Sequence, residues 1–261
     1  MLNIKEYKTV ASLDEAWELN QKRMNRVLGG MLWLRLSKGN VQTAIDLSAL
    51  GLDTIEETAT EFRIGAMVTL RQLELHPGMA AYTDGAMKEA LRHIVGVQFR
   101  NLATVGGSVF GRFGFSDVLT LLLAMDAQVE LHKGGLVSMA DFAASKYDRD
   151  ILVRVIIKKQ PAKYAYQSVR IAKTDFPVLT CAAARTEKGL QVAVGARPAK
   201  AALVQFGEAS LPLSVEQAKA LAVEAASKLP TASNTRGSAE YRTHLIKVLV
   251  ERTLLEVGGN L

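Results

Sequence analysis

Two short glycine pairs hold the residue types in this chain that are best suited to binding a phosphate. They are Gly29-Gly30 and Gly106-Gly107, more than seventy residues apart. A glycine has no Cβ, so backbone N–H groups at such a pair can approach an anion closely. A tight turn is the alternative interpretation of either pair alone, whereas two pairs together would suit a pyrophosphate. The candidate binding residues at the two loops are Leu28, Gly29, Gly30, Met31, Thr104, Gly106, Gly107 and Ser108.

The rest of the sequence lacks a pattern that would predict catalysis by side chains or a metal site. It contains no Ser-His-Asp arrangement, no Walker A lysine and no Rossmann G-x-G-x-x-G. The single cysteine, Cys181, lies in an apolar run typical of a buried strand, and the four histidines show no ligand spacing. Iron–sulfur clusters usually need four thiolates. We therefore predict no catalytic residue and no metal ligand here, with any metal redox centre on another chain.

Composition and charge predict a globular protein. Of 261 residues, 49% are hydrophobic and 22% charged, enough apolar content for two or three modest cores. The N-terminus does not resemble a signal peptide and the strongly apolar run 119–125 is too short to span a bilayer, which favours a cytoplasmic protein without membrane contact. The net charge of +6 is dispersed and aromatic content is 6%, which argues against nucleic-acid binding and suits an anionic cofactor or an acidic partner.

Local signals position the first glycine pair. Ser12 and Glu15 form a capping-box pattern that opens a helix toward Met24, and Arg26–Leu28 is typical of a short strand leading into Gly29. Extended structure is expected at 43–47, 62–64 and 66–68. Ser116 is a plausible N-cap for a helix over 117–125, and a hairpin is expected over 128–137.

A change of pattern at 159–162 indicates a domain boundary. Strands are predicted over 164–171, 178–185 and 190–196, followed by helices that begin after Ser214 and at Ser238. The alternation of both element types predicts an α+β protein.

Four segments then resemble, in order, the flavin subunits of molybdenum hydroxylases, the family of xanthine dehydrogenase and of the medium subunit of bacterial carbon monoxide dehydrogenase. These segments are Gly29-Gly30, Ile64–Leu70, Arg100–Asp117 and Arg236–Arg242. The resemblance extends from about residue 1 to about residue 257. It implies an α+β fold with a two-part FAD-binding module of the PCMH type over residues 1–158, with sub-domains of about 1–55 and 56–158, and a C-terminal α+β domain of sheet plus helices over 163–261.

The resemblance also implies roles for residues outside the glycine pairs. Asp117 would lie near the sugar and phosphate region of FAD, although an acidic residue is also favoured at a helix start. Arg170 and Lys173 would lie near the flavin ring, where a cation favours the reduced anion; a solvated strand end is the alternative. Met31 stands where the family usually has Thr or Ser, which removes a hydroxyl that the cofactor would meet. Ser108 stands where the family usually has Asn, which removes an amide.

By resemblance, this chain would carry FAD as the electron-transfer subunit of a molybdenum hydroxylase. An iron–sulfur small subunit and a molybdopterin large subunit would be its partners, and electrons would leave to NAD+ or another acceptor. Two alternatives are a free-standing flavin oxidoreductase and a scaffold subunit that has lost FAD. A glycine substitution such as Gly107→Ala is expected to weaken FAD binding, by collision with the ligand or by strain at a positive φ.

Overall fold

The computed structural model describes residues 1–207 and 212–259. These residues form three β-sheets and ten α-helices, so the α+β fold class is confirmed. The predicted C-terminal domain, 163–261, includes residues 208–211 and 260–261, which lie outside the described ranges. Across the described part of the chain, no helix combines the length and apolar character needed to cross a membrane.

The first sheet is parallel and delivers the first glycine pair. Its strands β1 (Leu2–Thr9), β2 (Arg26–Leu28) and β3 (Gly39–Asp46) lie in the order β1-β3-β2. Helix α1 (Leu13–Asn20) begins as predicted, with the Ser12 hydroxyl accepting a hydrogen bond from the Glu15 N–H at 3.1 Å. Strand β2 has its predicted limits and ends at Leu28, so the first glycine pair follows directly from a sheet.

The second sheet is antiparallel and has the order β4-β5-β8-β6-β7. Its strands are β4 (Ile55–Glu57), β5 (Glu61–Gly65), β6 (Gln128–Leu131), β7 (Gly135–Ser138) and β8 (Leu152–Lys158). Its helices are α2 (Leu70–Leu75), α3 (Pro77–Tyr82), α4 (Ala86–Arg92), α5 (Val97–Arg100), α6 (Val105–Phe110), α7 (Asp117–Ala124) and α8 (Met139–Ala144). Every residue of α7 is buried, which makes this helix the centre of the largest core.

The third sheet is antiparallel, with the order β12-β11-β10-β9. Its strands are β9 (Lys163–Arg170), β10 (Pro177–Thr186), β11 (Gly189–Gly195) and β12 (Ala202–Gly207), and the chain ends with α9 (Val215–Lys228) and α10 (Ala239–Gly258). Side chains of β10 alternate: Ala182 and Ala184 join the core around α7, whereas Cys181 and Ala183 join the core beneath α9 and α10. The sheet therefore has a buried core on each face.

Three local predictions differ from the structure. The first helix was expected to extend toward Met24, but α1 ends at Asn20. Residues 66–68 were expected to be extended, but a turn connects β5 to α2, since the N–H of Val68 bonds to the carbonyl of Gly65 at 3.1 Å. The second glycine pair was interpreted as a loop, yet Gly106 and Gly107 lie in the first turn of α6. Glycine is a poor helix former, so sequence propensity argued against this helix, and the contacts described below stabilise it.

Candidate cofactor-binding site

A cavity of about 780 Å³ lies where the first glycine pair, α6, α7 and the end of β9 meet. Ten of the eleven predicted binding residues line it: Leu28, Gly29, Gly30, Met31, Thr104, Gly106, Gly107, Ser108, Asp117 and Arg170. Lys173 is exposed and lies outside this lining. The volume falls in the range of about 300–1,000 Å³ that is typical of ligand and cofactor sites.

The two glycine pairs lie close together because their loops pack against each other. A Cβ placed on Gly30 would lie 1.9 Å from the carbonyl oxygen of Leu102, and one on Gly29 would lie 2.8 Å from Oγ1 of Thr104. Gly106 is equally restricted, since its Cβ would lie 2.7 Å from the carbonyl oxygen of Ala66. At Gly30 and Gly106 a glycine is required for close backbone approach, and at Gly29 a glycine leaves room for the Thr104 hydroxyl.

The first pair carries backbone donors that find no acceptor in the described part of the chain. Within residues 1–207 and 212–259, no atom accepts a hydrogen bond from the N–H of Gly29, Gly30 or Met31. Met31 has a φ of 59°, a left-handed conformation that costs free energy at a residue with a Cβ. Successive free N–H groups around a left-handed residue form a concave anion-binding surface.

The N–H groups of the second pair are already bonded within the protein. Gly106 donates to the carbonyl of Ala66 at 2.8 Å, and Gly107 donates to Oγ1 of its N-cap Thr104 at 3.1 Å. The Ser108 N–H and hydroxyl both donate to the Thr104 carbonyl, each at 3.0 Å. Neither glycine has a positive φ, so strain at a positive φ is excluded as a reason for glycine here. This pair shapes the cavity wall and adds the dipole of a helix N-terminus.

A buried ion cluster anchors the segment that leads into the second pair. Arg100 donates from Nε to one oxygen of Glu74 at 2.8 Å and from Nη2 to the other at 3.3 Å. Arg71 reaches the same carboxylate at 2.9 Å. Burial raises the pKa of Glu74, but the two guanidinium groups outweigh it and hold that pKa below its ordinary value. Arg100, the first residue of the Arg100–Asp117 segment, therefore affects the site by anchoring that segment to Glu74.

Asp117 is the first residue of α7 and is held by donors from β9. Its Oδ1 accepts from the Tyr166 hydroxyl at 2.5 Å and from the Arg170 guanidinium. The side chains of Asp117 and Arg170 are each only 7% exposed. Burial raises the pKa of Asp117 to about 6, although Arg170 and Tyr166 both lower it. Arg170 also donates to the Asp175 carbonyl at 2.6 Å, so its charge is already paired within the protein.

Aromatic side chains form one wall of the cavity. Trp33 stacks on Phe176 with ring centroids 5.5 Å apart, and Phe115 meets Phe176 edge to face at 4.8 Å. Phe113 stacks on Phe115 at 5.2 Å. Trp33 remains 52% exposed, so it is an open wall of the cavity and not a buried packing anchor. Such a wall suits a flat, apolar ring system.

The Arg236–Arg242 segment serves mainly to join the start of α10 to the third sheet. Arg242 is 1% exposed and donates to the carbonyls of Val178, Ala232 and Gly237. Arg236 lies over the Phe176 ring, 5.0 Å from its centroid. The segment thus supports the aromatic wall from behind.

Sequence reasoning missed several residues of the site. Tyr166 was assigned only to a strand, and its bond to Asp117 spans 49 positions that no local spacing reveals. Arg149 and Asn20 also line the cavity and are joined by hydrogen bonds in both directions, Asn20 Nδ2 donating to the Arg149 carbonyl at 2.8 Å. Phe176, outside any predicted element, completes the aromatic wall.

Residues 2–159 match the family model described as the FAD binding domain in molybdopterin dehydrogenase. The chain belongs to this family. The resemblance seen in the sequence is thereby confirmed, FAD is the cofactor, and the protein is an FAD-dependent oxidoreductase subunit.

Relatives of the molybdopterin dehydrogenase FAD domain align over almost the whole chain. The nicotine 6-hydroxylase medium subunit of Paenarthrobacter nicotinovorans is 29% identical over 278 residues, with 97% of each chain covered. The uncharacterized protein YgfM of Escherichia coli K12 is 28% identical over 244 residues, covering 92% of this chain and 91% of that one. The crystal structure of quinoline 2-oxidoreductase from Pseudomonas putida 86 superimposes with a TM-score of 0.83 at 23% identity, covering 98% and 97%, which shows the same fold.

The residues of the cavity fit FAD. Free N–H groups at Gly29, Gly30 and Met31 match the needs of a pyrophosphate, and the aromatic wall matches a planar ring. Asp117 offers a carboxylate acceptor for a sugar hydroxyl. The same cavity therefore provides each kind of contact that a flavin dinucleotide requires.

Proposed function

We propose that this protein is the FAD-carrying electron-transfer subunit of a molybdenum hydroxylase. Its partners are an iron–sulfur small subunit and a molybdopterin large subunit, and electrons leave to NAD+ or another acceptor. The relative named a medium subunit aligns end to end with this chain, which supports a place in a complex of several subunits. With one cysteine, which is buried, the chain cannot itself supply the four thiolates of a cluster.

The free N–H groups of the first glycine pair are the observation that carries this proposal. In it, Gly29, Gly30 and Met31 donate to the pyrophosphate. Gly106 allows α6 to pack closely against Ala66, so that α6 with Gly107 forms the opposite wall. Thr104 fixes the first turn of α6, and Ser108 ties that turn to α7 because its carbonyl accepts from the Ser116 hydroxyl at 2.9 Å. When bound, FAD supplies the redox chemistry; these residues bind and orient it.

Arg170 and Lys173 have different places in this proposal. Arg170 acts next to the cofactor through its ion pair with Asp117, since its guanidinium lines the cavity and is paired. The side chain of Lys173 is exposed and lies outside the cavity lining. Its contact with the flavin therefore remains a prediction.

The proposed domain division follows the three sheets. The first two sheets and their helices lie within residues 1–158, and the third sheet with α9 and α10 begins at Lys163. The buried free thiol of Cys181, whose pKa is raised by burial to about 12, is compatible with the reducing cytoplasm that we propose as the location.

A visible absorption spectrum of the purified protein, recorded before and after addition of FAD, tests cofactor uptake. We expect flavin bands that remain after gel filtration. A preparation that stays colourless after FAD addition would support a scaffold that has lost the cofactor.

Purification from the native source tests the partners. A cysteine-rich small chain and a large molybdenum-containing chain should accompany the protein. Full-rate substrate oxidation by the isolated chain would instead support a free-standing flavin oxidoreductase.

Anaerobic mixing of the reduced complex with NAD+ tests the acceptor. Formation of NADH at the rate of steady-state turnover would support NAD+, whereas reoxidation only by oxygen or an artificial acceptor would exclude it.

A further inference from the structure

The carboxylate of Asp117 is held from one side, by the third sheet. Tyr166 and Arg170 lie four residues apart on β9, so both side chains lie on the same face of the strand. On that face Tyr166 joins the core that contains α7, and both side chains reach Asp117. Both donate to the same oxygen, Oδ1. Tyr166 is 3% exposed, which means that its hydroxyl meets the carboxylate out of contact with water.

The second oxygen of Asp117 has no such partner. Among residues 1–207 and 212–259, no side chain or backbone N–H outside Asp117 itself donates to Oδ2, although Asp117 lines the cavity. A carboxylate with one oxygen engaged by two donors and the other free has a fixed orientation. The free oxygen is then the acceptor available to a hydroxyl of a ligand in the cavity.

We propose that Tyr166 is a positioning residue for FAD: by bonding Oδ1 of Asp117 it holds that carboxylate so that Oδ2 faces a hydroxyl of the cofactor. Tyr166 itself does not touch the cofactor, since it is absent from the cavity lining. The proposal rests on FAD being bound in this cavity.

Removal of the Tyr166 hydroxyl should change the pKa of Asp117, which a loss of packing alone would not do. The Tyr166 hydrogen bond lowers the pKa of Asp117, so its loss moves that pKa upward from about 6. The protonated carboxyl is a weaker acceptor, and FAD affinity therefore falls as pH falls through this value. In the variant, the same fall begins at a higher pH.

The other titratable groups near Asp117 are few. On β9 they are Tyr166 and Arg170, and on β10 the nearest is Cys181, whose pKa is raised so that the thiol stays neutral. Helix α6 contributes none, because Val105–Phe110 contains no titratable side chain. His93 follows α4 and has its pKa lowered by burial and by cations that include Arg170. The cavity lining that contains Asp117 also includes the charged residues Arg149, Asp150 and Asp175.

The test measures the Kd for FAD by quenching of flavin fluorescence between about pH 5 and about pH 8, a range that brackets the titration of a carboxyl with a raised pKa. The variants are Tyr166→Phe, Asp117→Asn and the double variant. Tyr164→Phe is the matched control, because Tyr164 lies on the same strand and the same face and its hydroxyl meets Tyr82 at 3.1 Å instead of Asp117. Thermal unfolding of each variant verifies that it is folded.

We expect Tyr166→Phe to bind FAD about tenfold more weakly at neutral pH, with its pH midpoint displaced upward. Asp117→Asn should lose the pH dependence, and adding Tyr166→Phe to it should cause little further change. Tyr164→Phe should retain the parent midpoint.

An unchanged midpoint and affinity in Tyr166→Phe would overturn the proposal while leaving FAD binding intact. The proposal would also be overturned if Tyr164→Phe and Tyr166→Phe weakened FAD binding equally and neither displaced the pH midpoint of binding. Tyr166 would then contribute only packing. A pH dependence that persists in Asp117→Asn would assign the titration to a group other than Asp117 and would contradict the proposal even if Tyr166→Phe did not fold. A parent protein that takes up no FAD would refute both this proposal and the proposed function.

Discussion

At Gly29-Gly30 the backbone N–H groups have no acceptor in the described part of the chain, whereas at Gly106-Gly107 both N–H groups donate to protein oxygens. The first pair continues from a strand into a turn with a left-handed Met31, and the second lies in a helix capped by Thr104. The first pair also depends on the second loop, because a Cβ on Gly30 would collide with the Leu102 carbonyl and one on Gly29 would lie close to the Thr104 hydroxyl. A Cβ on Gly106 would instead meet the carbonyl of Ala66.

This difference shows that one sequence pattern serves two physical purposes. The first pair supplies donors for an anion, and the second supplies a close-packed wall with its hydrogen bonds already satisfied. A glycine pair in a sequence therefore indicates close backbone approach, and only the hydrogen-bond partners show whether a ligand or the protein itself is approached.

The largest effect should come from Gly30→Ala. The new Cβ would lie 1.9 Å from the carbonyl oxygen of Leu102, so the two loops would have to separate. We expect a loss of about 3 kcal/mol in the free energy of unfolding and FAD binding weaker by about a hundredfold. Urea unfolding and FAD titration measure the two losses. A free energy of unfolding and an FAD affinity equal to those of the parent would show that close packing of the two loops is not required.

Glu74→Gln tests the anchoring of the second pair alone. It replaces a buried carboxylate that accepts from Arg100 and Arg71, and we expect a loss of about 2 kcal/mol in the free energy of unfolding. FAD affinity should fall less than in Gly30→Ala, because the free N–H groups of the first pair are untouched.

The pH dependence of stability sharpens this test. The pKa of Glu74 is lower in the folded state than its ordinary value of 4.5. The stability that Glu74 provides is thus present above its unfolded pKa and is lost as pH falls through the lower folded pKa. Acid titration of the unfolding free energy should show a smaller decline in Glu74→Gln than in the parent; equal declines would mean that the cluster adds no stability.

The smallest structural effect should come from Gly107→Ala. Its Cβ would meet only Oγ1 of Thr104, at 3.1 Å, and its φ is an ordinary negative one. The free energy of unfolding should change by no more than about 0.5 kcal/mol. Any several-fold loss of FAD affinity would then report contact with the cofactor, and unchanged affinity would remove Gly107 from the binding site.

Elements with local start signals were predictable from the sequence. The helices α1, α2 and α9 begin at Ser12, Thr69 and Ser214, where the hydroxyl caps the first turn as the residue pattern indicates. Strand β1 was missed, because Leu2–Thr9 is mostly polar and exposed, and its parallel pairing with Gly39–Asp46 is a contact between distant segments. Helix α6 was missed because its two glycines disfavour a helix outside this tertiary setting.

Most of the proposed binding residues were predictable because they lie in two continuous motifs. Residues that arrive from elsewhere in the fold were not. The pairing of β9 with β10 and the turn between them bring Phe176 into the cavity lining and Tyr166 into contact with Asp117. A lone tyrosine in a strand carries no local mark of the carboxylate that it will meet.

The placement of β9 has a consequence for the order in which the site is assembled during synthesis. A growing chain that has emerged only as far as residue 158 has both glycine pairs and Asp117, but it lacks Arg170, Tyr166 and Phe176. Asp117 would then face water without its two donors, and the aromatic wall would be open. The complete cavity exists only after β9 and β10 have paired, so we expect cofactor uptake to follow the synthesis of β10.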